Sequence, residues 1–259
     1  MRTVVATRYV TPLREGGSLP AIVEGDDSGL YVAKFRGAGQ GPKALVAELV
    51  AGELARAAGL RVPEIVLLEV DPALGRNEED SEIRALLQAS AGTNLGLDYL
   101  PGSVTFDPVA GPVPDAAEAS AIVWLDALVA NVDRTPRNSN LLAWHRRLWL
   151  IDHGAALWFH HAWDRAGDAA RDRFAPVKDH VLLPWATGVR AAGAALAPRL
   201  GREVLERVLA DVPDAWLAAE PRFPTPAAHR AAYVDHLARR LSAAEAFVEE
   251  AERARALLV

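Results

Sequence analysis

The stretch from Asn131 to Gly154 constrains this chain more than any other. A polar loop, NVDRTPRNSN, precedes two short apolar runs, residues 141–144 and 148–151. His145, Arg146 and Arg147 join the runs, and the second ends in Asp152-His153-Gly154. Apolar runs of this length around a polar joint predict a β-hairpin. Antiparallel pairing returns the residues flanking its two strands to the same end, which puts Asn138 beside Asp152 with Asp133 in the same loop. Two carboxylates and an amide converging at a strand end offer oxygen donors suited to magnesium and can orient a hydroxyl, as phosphoryl transfer requires. The D-x-x-x-x-N spacing alone is weak in a chain with many Asp residues. The strand-terminal Asp-x-Gly raises its specificity. The plain alternative is an Asx loop whose side chains only bond their own backbone.

Upstream of the hairpin the chain is β-rich. Residues 3–10, 20–24 and 30–35 predict three strands of an antiparallel meander, with Gly16, Gly17 and Ser18 in the first connection and Lys34 ending the third strand. Leu45, Leu49, Leu54 and Ala58 recur at helical spacing from Lys43 onward, and Gly59 is a natural stop. Strands are expected at residues 62–70 and 95–100, with a short helix capped by Asp80 or Ser81 between them. The turn residues Pro101, Gly102, Pro108, Gly111, Pro112 and Pro114 mark a boundary, after which the chain turns helical from an Asp115 cap. The last predicted element is one long helix after Thr225 and Pro226, with Val234, Leu237, Leu241, Val248 and Ala251 on one stripe. The expected architecture is α+β and two-lobed: a β-rich lobe over residues 1–101 and a mostly helical lobe over residues 102–259.

Composition limits the partners. The 259 residues are 51% hydrophobic and 24% charged, as in an ordinary globular chain. A net charge of −6 argues against nucleic acid, whose binding needs a basic surplus. The absence of Cys removes thiolate catalysis and Cys-ligated zinc. No apolar run resembles a signal peptide or a membrane span, because Asp126 interrupts AIVWLDALVA, so a cytoplasmic location is expected. Only three of the 28 basic residues are Lys: Lys34, Lys43 and Lys178. A compact ammonium and a planar guanidinium differ in what they can contact, so each Lys marks a position Arg does not obviously fill. His145, His153, His160 and His161 are too scattered to predict a metal cluster. Trp144, Trp149, Trp158 and Trp163 are expected in the core.

The run Val62-Pro63-Glu64 after a Gly-terminated helix, the loop N-V-D-R-x-x-x-N and the terminal I-D-H-G together resemble the HipA-like kinases, and more distantly the phosphoinositide and protein kinases. The resemblance extends over most of residues 5–160. It implies a protein-kinase-like fold and a dependence on ATP and magnesium, with γ-phosphoryl transfer to a hydroxyl such as that of a protein Ser or Thr. Residue by residue, Asp133 matches the catalytic base, Asn138 and Asp152 the magnesium ligands, and Lys34 the phosphate-binding Lys. Glu48 precedes Leu54, Ala55, Ala57 and Gly59 at the family's spacing and so matches the Glu that pairs with that Lys, in preference to Glu53. The segment L-D-Y-L-P-G resembles a kinase hinge, with the backbone of Asp98 and Leu100 at the adenine and Leu97 as gatekeeper. Gly16, Gly17 and Ser18 stand where kinases cover the phosphates, although they depart from G-x-G-x-x-G. His153 departs from the Phe common in protein kinases, and Arg134 matches the D-R dipeptide of HipA-like and lipid kinases. A nucleotide-binding pseudokinase and an aminoglycoside-type phosphotransferase are the rival readings. The latter family carries a His where this chain has Asn131.

Overall fold

Strand β1 (Thr3–Pro12) alternates exposed and buried residues at its start, the period-2 pattern of a half-buried strand. It pairs antiparallel with β2 (Ala21–Gly25), which pairs in turn with β3 (Leu30–Lys34). The computed structural model describes residues 1–13, 19–39, 41–76, 78–111 and 113–258, so Gly16, Gly17 and Ser18 lie outside the described residues.

The predicted helix after β3 is α1 (Gly41–Ala58). It ends at Gly59, whose φ of +92° belongs to the left-handed region that glycine tolerates best. There the Leu60 N–H donates to the Ala55 carbonyl and the Gly59 N–H to that of Arg56, closing the orphan carbonyls of the last turn. Residues 45–52 of α1 are all buried, a wider apolar surface than the four-residue stripe predicts. The helix is sandwiched between the sheet on one side and later helices on the other, so it is buried nearly all round.

Strand β4 (Ile65–Val70) starts later than expected, after Pro63, which has no N–H to give a ladder. A short helix α2 (Ser81–Ala89), capped by Asp80, leads to β5 (Gly92–Asp98). β5 pairs antiparallel with β3 and β4, and β4 closes on β1 in parallel through Thr3↔Leu67, Val4↔Leu68 and Val5↔Glu69. The result is a closed five-stranded barrel, β1-β2-β3-β5-β4, rather than the open meander that local pattern alone suggests. Val4, Val23, Tyr31, Phe35, Val66 and Leu68 fill its core.

Beyond the barrel, β6 (Val104–Thr105), which the sequence does not announce, adds to the hairpin of β7 (Leu141–Trp144) and β8 (Arg147–Leu150). His145 and Arg146 alone form the turn, both at positive φ, the twist-compatible geometry of a two-residue hairpin. Helix α3 (Ala116–Val129) begins at the predicted Asp115 cap, whose carboxylate accepts from Ala117 N and Glu118 N. The rest is helical: α4 (Ala166–Ala169), α5 (Val189–Leu196), α6 (Arg202–Ala210), α7 (Asp214–Leu217), α8 (Pro226–Ser242) and α9 (Glu245–Ala256). The single long C-terminal helix expected from the apolar stripe is broken at Ala243 and Ala244. The break folds α9 back so that Phe247 packs edge-on against Trp124 and under the Arg240 guanidinium. The second core joins α1 to α3, α6, α8 and α9 through Leu49, Leu54, Trp124, Leu125, Leu205, Leu237 and Phe247. Of the four Trp residues expected in the core, none is fully buried, and Trp158 is 62% exposed.

Candidate active site

Lys34 is the last residue of β3 and lies opposite Leu95 of β5. Its Nζ donates at 2.6 Å to Glu48 Oε2 on α1 and at 2.6 Å to Asp152 Oδ1 just past β8. Glu53 instead pairs with Arg56 at 3.3 Å. The Glu48 side chain is fully buried and that of Lys34 is 14% exposed, whereas Asp152 is 49% exposed. A buried ammonium would lose its proton readily; burial does pull Lys34 down, but the two carboxylates reverse the effect and raise it above its usual value. Burial likewise pushes Glu48 up, yet Lys34 and the neighbouring His153 bring it down to about 2. Lys34 and Glu48 therefore hold each other in their charged forms.

Asp152 holds a φ of +55°, uncommon for a non-glycine residue but tolerated best by Asp and Asn. His153, next in the chain, is fully buried, with Nδ1 3.5 Å from Glu48 Oε1. It fills the space beneath α1 beside Gly52.

The polar loop holds the second half of the site. Asn138 Nδ2 donates to Asp133 Oδ2 at 2.8 Å, and Asn140 Nδ2 reaches the same oxygen at 3.3 Å. Asn140 also approaches the Asp152 carbonyl at 3.5 Å, the outer limit of a hydrogen bond. It thus links the loop that carries Asp133 to the turn that carries Asp152, and with it the Lys34 cluster.

The loop has an internal scaffold. Asp126, near the end of α3, accepts from Arg134 Nε at 2.6 Å, His180 Nε2 at 2.9 Å and Asn131 Nδ2 at 3.0 Å. Because the Leu182 N–H donates to His180 Nδ1, the proton of the neutral ring sits on Nε2 and faces Asp126. Arg134 Nη1 donates to the Asn140 carbonyl and approaches that of Ile151. Burial opposes the Asp126 charge, but Arg134 and His180 hold this carboxyl well below the usual carboxylate range. Arg134 is buried, and the groups it bonds all belong to α3, the loop and the hairpin around it. Asn131 Oδ1 accepts from the Asp133 N–H at 3.3 Å, so this residue shapes the loop.

Of the residues expected from spacing and from the family resemblance, the structure brings Lys34, Glu48 and Asp152 into contact, and Asp133 with Asn138. Sequence spacing misses Asn140, Asp126 and His180. The interruption of AIVWLDALVA by a carboxylate is the available signal for Asp126, since a charge on a buried helix face demands partners. Nothing local announces His180.

Lys34 and Asp152 line a narrow cavity of 20 Å³ with Phe35, Ala38, Gly41, Ala44, Leu45 and Gly154. Asp98 and Leu100 are not in it. They border a separate groove of 470 Å³ with Arg61, Glu64, Trp144 and Trp149. In the β3–β5 ladder Asp98 pairs with Tyr31 and Leu95 with Lys34, a separation of roughly 10 Å at the rise of a strand. Among the described residues no group of three or more His, Asp or Glu side chains encloses a metal site. The donors left over, Asp152 Oδ2 and Asn138 Oδ1, are hard oxygens. They suit magnesium, which binds through one or two protein oxygens together with phosphates and water.

A family model for HipA-like kinases matches residues 7–250. The chain belongs to the HipA-like kinase family. No curated protein matches it. Among solved structures, a Helicobacter pylori proinflammatory kinase, CtkA, superposes with a TM-score of 0.56 at 11% identity, covering 97% of this chain and 98% of that one. The Golgi casein kinase with Mn/ADP bound gives a TM-score of 0.55 at 12% identity, covering 100% of this chain and 76% of that one. At these identities the neighbours establish a kinase-like fold of mixed strands and helices. Among the described residues no helix of this HipA-like kinase is long and apolar enough to cross a membrane.

Proposed function

We propose that this HipA-like kinase transfers the γ-phosphoryl group of ATP to a hydroxyl acceptor, with a protein Ser or Thr as the first acceptor class to test. The observation that carries the reading is Lys34 bridging Glu48 and Asp152 at 2.6 Å each, beside a loop in which Asp133 is held by two amides. A cation fixed next to a half-exposed carboxylate is poised to exchange that carboxylate for phosphate oxygens. The proposed nucleotide position lies between a β-rich lobe, residues 1–101, and a helical lobe, residues 102–259. The adenine is assigned to the backbone of Asp98 and Leu100, and the phosphates to Lys34. The ladder distance between Asp98 and Lys34 supports this arrangement.

In this reading the acceptor oxygen bonds to the γ-phosphorus as the bond to the β,γ-bridging oxygen breaks. ADP leaves with that electron pair, and the hydroxyl proton passes to the Asp133 carboxylate. Asn138 and Asn140 both bond Asp133 Oδ2, which leaves Oδ1 to take the proton. Magnesium, held by Asn138 and Asp152, would neutralise the phosphate charge that develops. Lys34, kept cationic and in place by Glu48, supplies the protein's own share of that neutralisation.

Magnesium-dependent stabilisation by ATP in a thermal-shift titration tests the site. We expect it in the wild type and expect Lys34→Ala to weaken it strongly; an unchanged shift in the variant would remove Lys34 from the site. A screen of acceptors with γ-labelled ATP then separates an active kinase from a regulatory nucleotide binder, which would bind ATP and label nothing.

A further inference from the structure

Lys43 is the one lysine of α1, and its place is electrostatically wrong for an isolated helix. It lies in the first turn, where the helix dipole disfavours a cation, and that turn contains no acid to offset it. The compensation comes from elsewhere in the fold. Lys43 Nζ donates to the His160 carbonyl at 2.8 Å and to Glu220 Oε2 at 3.1 Å. A compact ammonium with rotatable N–H groups can serve a carbonyl and a carboxylate that lie in different directions.

Both partners are anchored. His160 follows Asp152 in the chain, and its buried ring meets the Tyr233 hydroxyl of α8 through Nδ1 at 3.0 Å. Phe159 stacks on His236 of the same helix with ring centroids 3.4 Å apart. Glu220 lies in the connection from α7 to α8. There Arg222 pairs with Asp164, and Phe223 packs edge-on against Trp163 at 5.0 Å and stacks on His229 at 4.3 Å. Burial would raise the Glu220 carboxyl, but Lys43 outweighs it and holds it below its usual value. The segment after Asp152, the α7–α8 connection and α8 thus form one aromatic block, and Lys43 fastens the start of α1 to it. Glu48 sits little more than one helical turn further on, about 7.5 Å along the axis.

We propose that Lys43 and Glu220 form a clasp that fixes α1 against this block, and that both are positioning residues for the Lys34–Glu48–Asp152 contacts. The positioning role rests on the phosphotransferase reading; the clasp itself does not. The test compares Lys43→Ala, Lys43→Arg, Glu220→Gln and the Lys43→Ala/Glu220→Gln double variant in the full chain. Amide hydrogen exchange over residues 44–49 is read against that of α3, and magnesium–ATP affinity is measured in parallel. Lys43→Ala should speed α1 exchange and weaken ATP binding by roughly fivefold each, about the net worth of one ordinary hydrogen bond, with α3 unchanged. Glu220→Gln should show part of the effect, the double variant should be no worse than Lys43→Ala, and Lys43→Arg, whose planar guanidinium keeps the charge but not the ammonium's geometry, should recover only part of it. Unchanged α1 exchange in Lys43→Ala, or single effects that add in the double variant, would overturn the clasp. Faster exchange with unaltered ATP affinity would overturn the positioning role. If the wild type binds no ATP, the phosphotransferase reading fails while the exchange data still decide the clasp.

Discussion

Two ion-paired clusters border the same loop, and they differ in how far they are sealed. Asp126, Arg134 and His180 form a closed set: the Asp126 and Arg134 side chains have no exposure, and both Asp126 oxygens are taken. Lys34, Glu48 and Asp152 look similar on paper, one cation with two carboxylates, but Asp152 is half exposed and borders a cavity. The closed cluster cannot exchange a partner without stranding a buried charge. The open one can. Pairing alone does not tell the two clusters apart; the access of Asp152 to solvent does.

Breaking the closed cluster should have the largest effect on stability. Asp126→Ala leaves Arg134 and His180 without their carboxylate, and we expect a loss of about 3–5 kcal/mol in urea unfolding. A loss below about 1 kcal/mol would mean that water or a rearranged loop replaces Asp126, and that the contrast between the clusters is weaker than drawn.

Glu48→Gln should cost less, because Asp152 still faces Lys34. It also carries a pH signature. The folded-state pKa of Glu48 is depressed to about 2, so its ionised form contributes stability that is fully present above the unfolded value near 4.3 and is lost as pH falls through 2. The stability gap between wild type and Glu48→Gln should therefore narrow between pH 4.5 and pH 2 in denaturant titrations. A gap independent of pH would show that Glu48 acts by packing alone.

The smallest effect sharpens the link between the halves of the site. Asn140 has a φ of +48° and bonds Asp133, so Asn140→Ala loses a hydrogen bond and strains the backbone, at about 1–2 kcal/mol in total. Asn140→Gly keeps the backbone geometry and loses only the bond. The glycine variant should be the more stable of the two in thermal melts; the reverse order would assign the position to side-chain packing.

The fraction of this molecule legible in the sequence follows from the range over which each signal acts. The hairpin, the Asp115 cap and the Gly59 stop are local, and residue type with spacing is enough to place them; the residue that reaches the Asp152 carbonyl is Asn140, not the expected Asn138. The closure of β4 on β1 pairs residues 64 apart in the chain, Thr3 with Leu67, and no local pattern encodes it. The break between α8 and α9 escapes because the apolar stripe continues through it, while the contact it permits, Phe247 on Trp124, is tertiary. Asp126 leaves a trace, a carboxylate in an apolar helix, but its partner His180 is distant in sequence. Asn140 hides as one more Asx residue in a polar loop, distinguished only by the oxygen it reaches.

The proposed phosphotransferase gives the chemistry to Asp133 and the holding of its loop to Asp126, Arg134 and Asn140. Phosphoryl transfer and ATP affinity measured side by side in Asp133→Asn test this division of roles most directly, with any acceptor the wild type labels, itself included. We expect transfer to fall by about a hundredfold or more, with magnesium–ATP affinity and melting temperature unchanged. Transfer at the wild-type rate in Asp133→Asn would contradict that division.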